Sequence, residues 1–199
     1  TACMEDQKAR ARANVKGDAW GSFNDVWVEL SDKVAATEFD GYDNDVIEGA
    51  KVVAIVRNGE SIESAAAGED VEVVLDRTPF YAEMGGQVAD HGYLTSGTAN
   101  LKVNQVKKTP KGFYVHTCTL LDGTIRVGDT VTAAVDEQRR ASICRNHTAT
   151  HLMQKALREV LGEHVHQAGS YQDDKITRFD FTHFNAVNPA ELAEGEKRV

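Results

Sequence analysis

Two histidines four residues apart, His147 and His151, are the side chains of this sequence best spaced to share one chemical task. Residues at positions i and i+4 of a helix lie on the same face, so both imidazoles could bind one metal ion. A zinc protease would carry a glutamate directly after the first histidine, but Thr148 stands there, which excludes that class of enzyme. The spacing alone leaves a metal site and two unrelated histidines as alternatives.

A helical wheel indicates where this pair points. If residues 146–161 form a helix, its apolar residues cluster on the face roughly opposite the two histidines. Those apolar residues are Met153, Ala156, Leu157 and Val160. We therefore expect the histidines either to point into solvent or to line a cleft.

Two other stretches carry residues suited to binding. Residues 78–87 end in Gly85, Gly86 and Gln87, and adjacent glycines permit positive φ angles and a close approach of the backbone. An ordinary turn is the alternative. Residues 164–170, which follow the helix of the histidine pair, contain Gln167. Its amide could hold a polar ligand or bond to its own backbone.

The hydrophobic pattern predicts a β-rich segment followed by mixed α and β structure. Alternating apolar residues predict strands at 51–57, 71–76, 93–94, 101–106, 112–120 and 130–135, with a hairpin at Asn58-Gly59. Short strands at this spacing are typical of a small antiparallel barrel or sandwich. After Val135 the pattern changes to a helical period. It predicts helices over 137–144 and 146–161, a strand over 178–181, and a helix beginning at Asn188-Pro189.

The expected organisation is therefore an α+β chain of three parts. A helical connector covers 1–36 and includes a polar helix over 4–17, a small barrel-like antiparallel β half covers 37–136, and an α+β half covers 137–199. The helix that begins at Asn188 continues to the end of the sequence at Val199, so we expect this last half to be truncated at its C-terminus.

The composition excludes several classes of protein. With 41% hydrophobic residues among 199, the chain can bury a substantial core, which excludes disorder. The longest apolar run, 52–56, is far too short for a membrane helix. Three widely separated cysteines (Cys3, Cys118 and Cys144) and the lack of a signal segment predict a cytoplasmic location without a disulfide framework.

The charge is negative overall but unevenly distributed. Lys+Arg at 22 against Asp+Glu at 31 gives a net charge of −9, which argues against a nonspecific nucleic-acid binder. Residues 137–199 are balanced, however, and Arg139, Arg140 and Arg145 cluster near their start. These arginines could form a solvated helix face or contact phosphates.

Four motifs in a fixed order resemble the editing region of the alanyl-tRNA synthetase family and of the free-standing editing proteins related to it. They are residues 77–87, which end in Gly-Gly-Gln, residues 145–152 with the histidine pair, residues 164–170, and residues 178–183 with Arg-Phe-Asp-Phe. The resemblance runs from about Glu5 to Val199. It implies that the second half has the fold of the editing domain of threonyl- and alanyl-tRNA synthetases.

The resemblance implies an enzyme that hydrolyses the ester of tRNA(Ala) wrongly charged with serine or glycine. Zinc would be held by His147 and His151 together with a downstream Cys-x-x-x-His pair, which this sequence does not contain. Gln167 would belong to the editing pocket and Thr78 would recognise the serine hydroxyl, as the catalytic candidates. A departure from the family pattern is Met84, which stands where a small residue is usual.

The same resemblance implies the partners. They would be the aminoacylated 3′ end of tRNA(Ala) and the rest of the parent synthetase, whose core would bind ATP. No Ser-His-Asp or Cys-His arrangement is evident in the sequence, so we expect water to attack the ester directly.

Two other functions stay open at this point. In a non-catalytic tRNA-docking module the arginines would contact phosphates and the histidines would be incidental; binding would depend on salt and no ester would be hydrolysed. A metal-dependent hydrolase of small esters or amides would share the histidine pair but would act regardless of the tRNA.

Overall fold

A computed structural model of the protein describes residues 25–199. The polar helix predicted over 4–17 lies outside the described residues. The described part begins with helix α1 (Asp25–Ser31), within the segment expected to be a helical connector. Val26, Trp27 and Leu30 of α1 pack against an apolar cluster on the outer face of the main sheet. This contact covers one side of the β-rich half.

The β-rich half contains a long sheet and two small additions. The main sheet is formed by β2 (Val46–Arg57), β3 (Glu60–Ile62), β5 (Asp70–Leu75), β7 (Gly92–Thr95), β8 (Ala99–Lys108), β9 (Tyr114–Arg126) and β10 (Thr130–Val135). The additions are β4 (Ser64–Ala66), which pairs with β9, and the parallel pair β1 (Glu38–Phe39) and β6 (Arg77–Thr78).

Six of these strands close into an antiparallel barrel. Neighbours run in the order β10, β7, β8, β9, β5 and β2, and β10 pairs again with β2. The predicted α+β fold with a barrel-like half is therefore confirmed, and closure decides between barrel and sandwich. The hairpin at Asn58-Gly59 is also confirmed, with φ angles of 53° and 80° between the paired residues Arg57 and Glu60.

The strand β2 is longer than the sequence predicted because it pairs with three other strands. Its first half pairs with β10 and its second half with β5 and β3, so it bends around the barrel across register shifts. Along β9, Tyr114, Cys118 and Leu120 belong to the buried barrel core, whereas Val115 belongs to the outer cluster under α1. His116 is buried and lies on the inward side of that alternation.

Helix α2 (Glu137–Leu161) is continuous, so the prediction of two helices separated at Arg145 is wrong. Arginine has a high helix propensity, and the guanidinium of Arg145 donates to Ser142 Oγ one turn earlier at 2.8 Å. Nothing at this position therefore interrupts the helix. The side chain of Asp136 caps the first turn by accepting from Arg139 N–H at 3.0 Å, and Gly162 ends the helix as predicted.

The remaining elements are an antiparallel pair of strands, β11 (Gln167–Gln172) and β12 (Thr177–Phe181), and helix α3 (Pro189–Arg198), which packs on α2. Gln167, in the segment that follows the helix of the histidine pair, thus lies at the start of a strand. Asn188 caps α3 as predicted, accepting from the N–H groups of Ala190 and Glu191. No helix among residues 25–199 has both the length and the apolar character needed to cross a membrane.

Candidate active site

The Gly-rich loop, residues 82–89, projects from the barrel and is tied together at its two ends. Tyr81 N–H donates to Asp90 Oδ2 at 2.7 Å, and Asp90 N–H donates to the Tyr81 carbonyl at 3.1 Å. At the tip, Met84 and Gln87 exchange backbone hydrogen bonds of 3.2 and 3.1 Å. The loop is therefore held closed at both its neck and its tip.

The tip of this loop lies against β11. Gly86 O accepts from Gln172 N–H at 2.9 Å, and Val88 N–H donates to the Gln172 carbonyl at 3.1 Å. A Cβ on Gly86 would stand 2.4 Å from the carbonyl oxygen of Ser170, and the φ of Gly86 is +88°. Only glycine fits both the conformation and the space. The Gly-rich loop thus joins β11 through an isolated parallel bridge between Gln87 and Gln172.

Gln87 connects the loop to the histidine pair. Gln87 Oε1 lies 2.6 Å from His147 Nδ1. An amide oxygen only accepts, so His147 carries a proton on Nδ1. Gln87 itself is buried. The structure therefore brings the Gly-rich loop to the face of α2 that carries the histidines, as a cleft would require.

His151 continues the same face one turn further along α2. Its ring stacks on that of His147, with centroids 5.2 Å apart and planes at 17°. His147 is half-buried and His151 is exposed. The pair thus forms one edge of an open site next to the Gly-rich loop.

Gln167 lies at the far end of a row of contacts that begins at His147. It is exposed at the start of β11, and its Nε2 donates to Ser170 Oγ at 3.0 Å. Ser170 in turn faces Gly86. The row from Gln167 to Ser170, Gly86, Gln87 and His147 is therefore continuous, although Gln167 and His147 are linked only through the residues between them.

Thr78 does not lie in that row. Its side chain is wholly buried, and its Oγ1 is 2.8 Å from His116 Nε2 and 3.2 Å from Phe80 N. Burial lowers the pKa of His116 to about 4. Hydrogen bonds between its ring and the backbone of Val73 and Tyr114 raise the pKa, but this effect is weaker. The structure thus places Thr78 behind the Gly-rich loop rather than on its open side.

Arg140 fastens α2 to the barrel at the neck of the loop. Its guanidinium bonds Asp90 at 2.5 Å, Asp45 at 2.7 Å and the carbonyl of Gly41 at 3.1 Å. The side chains of Arg140 and Asp90 are 14% and 2% exposed, so this is a buried ion pair. Burial alone would lower the pKa of Arg140, but its bonds to the two carboxylates raise it overall.

The described residues supply half of a tetrahedral zinc shell. His147 and His151 provide two nitrogen ligands, and the Gln87 contact orients the first of them as outer hydrogen bonds usually do for metal ligands. Within residues 25–199, no group of three or more His, Cys, Asp or Glu side chains could hold an ion. The residues present therefore do not fit a closed zinc site, and no reaction step is assigned to a metal.

Reasoning from the sequence missed three contributors to this region: His116, Asp90 and Arg140. His116 was detectable, because it occupies an inward position of a strand that otherwise alternates in apolar residues. Asp90 and Arg140 are 50 residues apart, and no local pattern predicts their pairing.

The family follows from comparison with known proteins. A family model described as tRNA synthetases class II (A) matches residues 1–139. The chain belongs to this family.

Within that class the similarity is to alanine–tRNA ligases. The enzyme of Rhizobium meliloti is 46% identical over 192 residues, covering 96% of this chain and 22% of the relative. That of Pelotomaculum thermopropionicum is 46% identical over 197 residues, and that of Acetivibrio thermocellus 47% over 199; each comparison covers 98% of this chain and 22% of the relative. The chain thus spans 22% of the length of these relatives and corresponds to a part of that enzyme.

Proposed function

We propose that this chain is the editing part of an alanine–tRNA ligase, acting in the cytoplasm on the aminoacylated 3′ end of tRNA(Ala). The reaction is hydrolysis of the ester that links a wrongly attached serine or glycine to the terminal ribose. The observation that carries the proposal is the contact between Gln87 and His147, which joins two separate motifs of the resemblance into one site.

The residues of this row suit hydrolysis by direct attack of water on the ester carbonyl. Ser170 Oγ accepts from the amide of Gln167, and Cys118 is buried with a raised thiol pKa, so neither is prepared as a nucleophile. Gln87 accepts a hydrogen bond from His147 Nδ1 and so fixes the orientation of this ring. With its ring fixed, His147 helps to hold the ester in place for the attack of water.

Selectivity for serine requires polar contacts. An apolar pocket separates side chains that differ by a small group by only about 1–3 kcal/mol, whereas a site that hydrogen-bonds a hydroxyl discriminates much more strongly. The exposed amide of Gln167 is the contact that we assign to the serine hydroxyl. Alanine offers no hydroxyl, so its ester would not gain this hydrogen bond.

The proposal also covers zinc and the rest of the parent ligase. His147 and His151 are the residues that would hold zinc in the parent ligase, with further ligands from outside the described residues. The ATP-dependent ligation belongs to the rest of the parent enzyme.

The arginine contacts disfavour the docking-module alternative. Arg139 donates to the carbonyl of Ala89 at 2.7 Å and pairs with Asp174 at 3.3 Å, and Arg140 is buried in the ion pair with Asp90. Of the three clustered arginines only Arg145 is exposed. A phosphate-binding surface made from this cluster would need two arginines that already serve contacts within the protein.

The proposal is tested by deacylation of tRNA(Ala) charged with serine, compared with the same tRNA charged with alanine. We expect the parent ligase that contains this segment to hydrolyse the seryl ester preferentially, and His151→Ala or Gln167→Ala to slow this at least tenfold, which corresponds to about 1.4 kcal/mol. Gln138→Ala is the matched control, because Gln138 is exposed in the first turn of α2, away from the row. Filter binding on the same variants should show unchanged tRNA affinity.

Two results would contradict the proposal. Binding of tRNA(Ala) without any hydrolysis of the seryl ester would favour the docking module. Equal hydrolysis of simple esters with and without a tRNA moiety would favour a small-ester hydrolase.

A further inference from the structure

The protonation of His116 can be read from its partners. His116 Nδ1 lies 2.9 Å from the carbonyl oxygen of Val73, which can only accept, so the proton is on Nδ1. The ring is completely buried, which favours its neutral form. Its Nε2 therefore carries a lone pair, and the hydroxyl of Thr78, 2.8 Å away, must donate to it.

This assignment leaves Thr78 with little free capacity. Its single hydroxyl proton is used by His116, and one lone pair accepts from Phe80 N–H at 3.2 Å. The ring of Phe80 meets the His116 ring edge to face, with centroids 5.4 Å apart. Thr78, Phe80 and His116 thus form one enclosed unit inside the barrel, in which Thr78 cannot donate a hydrogen bond to a ligand.

The unit lies at the base of the Gly-rich loop. Phe80 is followed directly by Tyr81, whose bonds to Asp90 form the neck of the loop. The carbonyl of Pro79 accepts from Arg140 of α2, and Asp90 bonds the same guanidinium. The base of the loop is therefore held from the barrel interior on one side and from α2 on the other.

We propose that His116 is a positioning residue: through Thr78 it fixes the base of the Gly-rich loop, so that Gln87 meets His147 in the correct register. Thr78 is then also a positioning residue, whereas the resemblance implied direct contact with the serine hydroxyl. The consequence for activity rests on the proposed function, but the consequence for the Gln87–His147 contact does not.

The test combines ring-nitrogen NMR of the histidines with seryl-tRNA deacylation. In the unmodified chain His116 should show its proton on Nδ1, and so should His147. Thr78→Val keeps the shape but removes the hydroxyl, so it should free His116 Nε2 and shift or broaden the His147 Nδ1 signal. It should also lower kcat for the seryl ester at least tenfold with little change in KM, while Thr78→Ser restores both readouts. His116→Phe should reproduce the effect of Thr78→Val on His147.

Thr109→Val is the matched control. Thr109 is also buried, and its hydroxyl also accepts a backbone N–H, that of Phe113, but in the turn between β8 and β9. This variant should leave the His147 signal and kcat unchanged. Equal disturbance of His147 by Thr109→Val would indicate general loosening and overturn the proposal.

Further results would decide whether His116 has this positioning role. A proton on His116 Nε2, or an unchanged His147 signal in Thr78→Val, overturns the positioning role even if the seryl ester is hydrolysed. If the parent ligase hydrolyses no seryl ester, the proposed function fails, and the His147 signal in the Thr78 variants still decides the inference.

Discussion

The buried His116 should make folding stability depend on pH in a defined window. In the folded protein burial lowers its pKa from the ordinary 6.5 to about 4, whereas in the unfolded chain the ring titrates normally. Below about pH 6.5 the unfolded chain therefore takes up a proton that the folded protein refuses until about pH 4. Stability is lost as the pH falls through this window, and the loss from this group ends below it.

The magnitude follows from the width of the window. The difference between 6.5 and about 4 corresponds to about 3 kcal/mol, since one pKa unit is worth about 1.4 kcal/mol. Solvent screening does not reduce this free energy, because the His116 side chain is completely buried. Near pH 5 almost a full proton separates the two states, so the slope should be roughly 1.2 kcal/mol per pH unit.

Urea unfolding followed by tryptophan fluorescence between pH 7 and pH 4 measures this effect. His116→Gln is the reference, because it cannot titrate while all carboxylates remain. The free energy of unfolding of the unmodified protein, minus that of His116→Gln, should fall by about 3 kcal/mol across the range. Parallel pH dependences for the two proteins would refute the assignment of a buried neutral histidine.

Three further predictions concern the neck, the tip and the histidine pair. Arg140→Met should lower the free energy of unfolding by about 3–5 kcal/mol in urea titrations, because it leaves the Asp90 carboxylate buried and unpaired; a loss below about 1 kcal/mol, typical of a surface pair, would show that the pair is solvated. Gly86→Ala should cost clearly more stability than Gly85→Ala, because both glycines have positive φ but only a Cβ at Gly86 would collide with Ser170; equal losses would mean that the tip does not pack on β11. Zinc should be largely lost from the chain on extensive dialysis, because two imidazoles leave half of the shell to water; one equivalent of zinc measured by atomic absorption afterwards would reveal a further local ligand.

Much of the barrel could be predicted from sequence because its strands alternate. The pattern in β5 and β10 separates inward from outward residues, and Asn58-Gly59 specifies its turn chemically. The strand β11 could not be predicted this way. Its residues Gln, Ala, Gly and Ser have weak strand propensity, and its conformation comes from pairing with β12 and with the Gly-rich loop.

In the candidate site, too, local spacing could be predicted from the sequence, whereas contacts between distant residues could not. The helical spacing of His147 and His151 predicted that the two imidazoles share one face of the helix, and their rings do stack there. The sequence could not predict that Thr78 is enclosed, because its partner His116 is 38 residues away and meets it only across the closed barrel. The break predicted at Arg145 failed because helix propensity was given too little weight against a change in side-chain pattern.

The bridge that the Gly-rich loop forms with β11 affects the order of folding. A pair of strands alone is at best marginally stable in water, and a third partner is what usually makes such a sheet persist. Here the third partner belongs to the half that a ribosome makes first, and the barrel can close before β11 has been synthesised. The barrel would then serve as the template on which the later half assembles. A substitution at Gly86 should therefore slow the folding of the later half or leave it incomplete, in addition to any effect on the folded site.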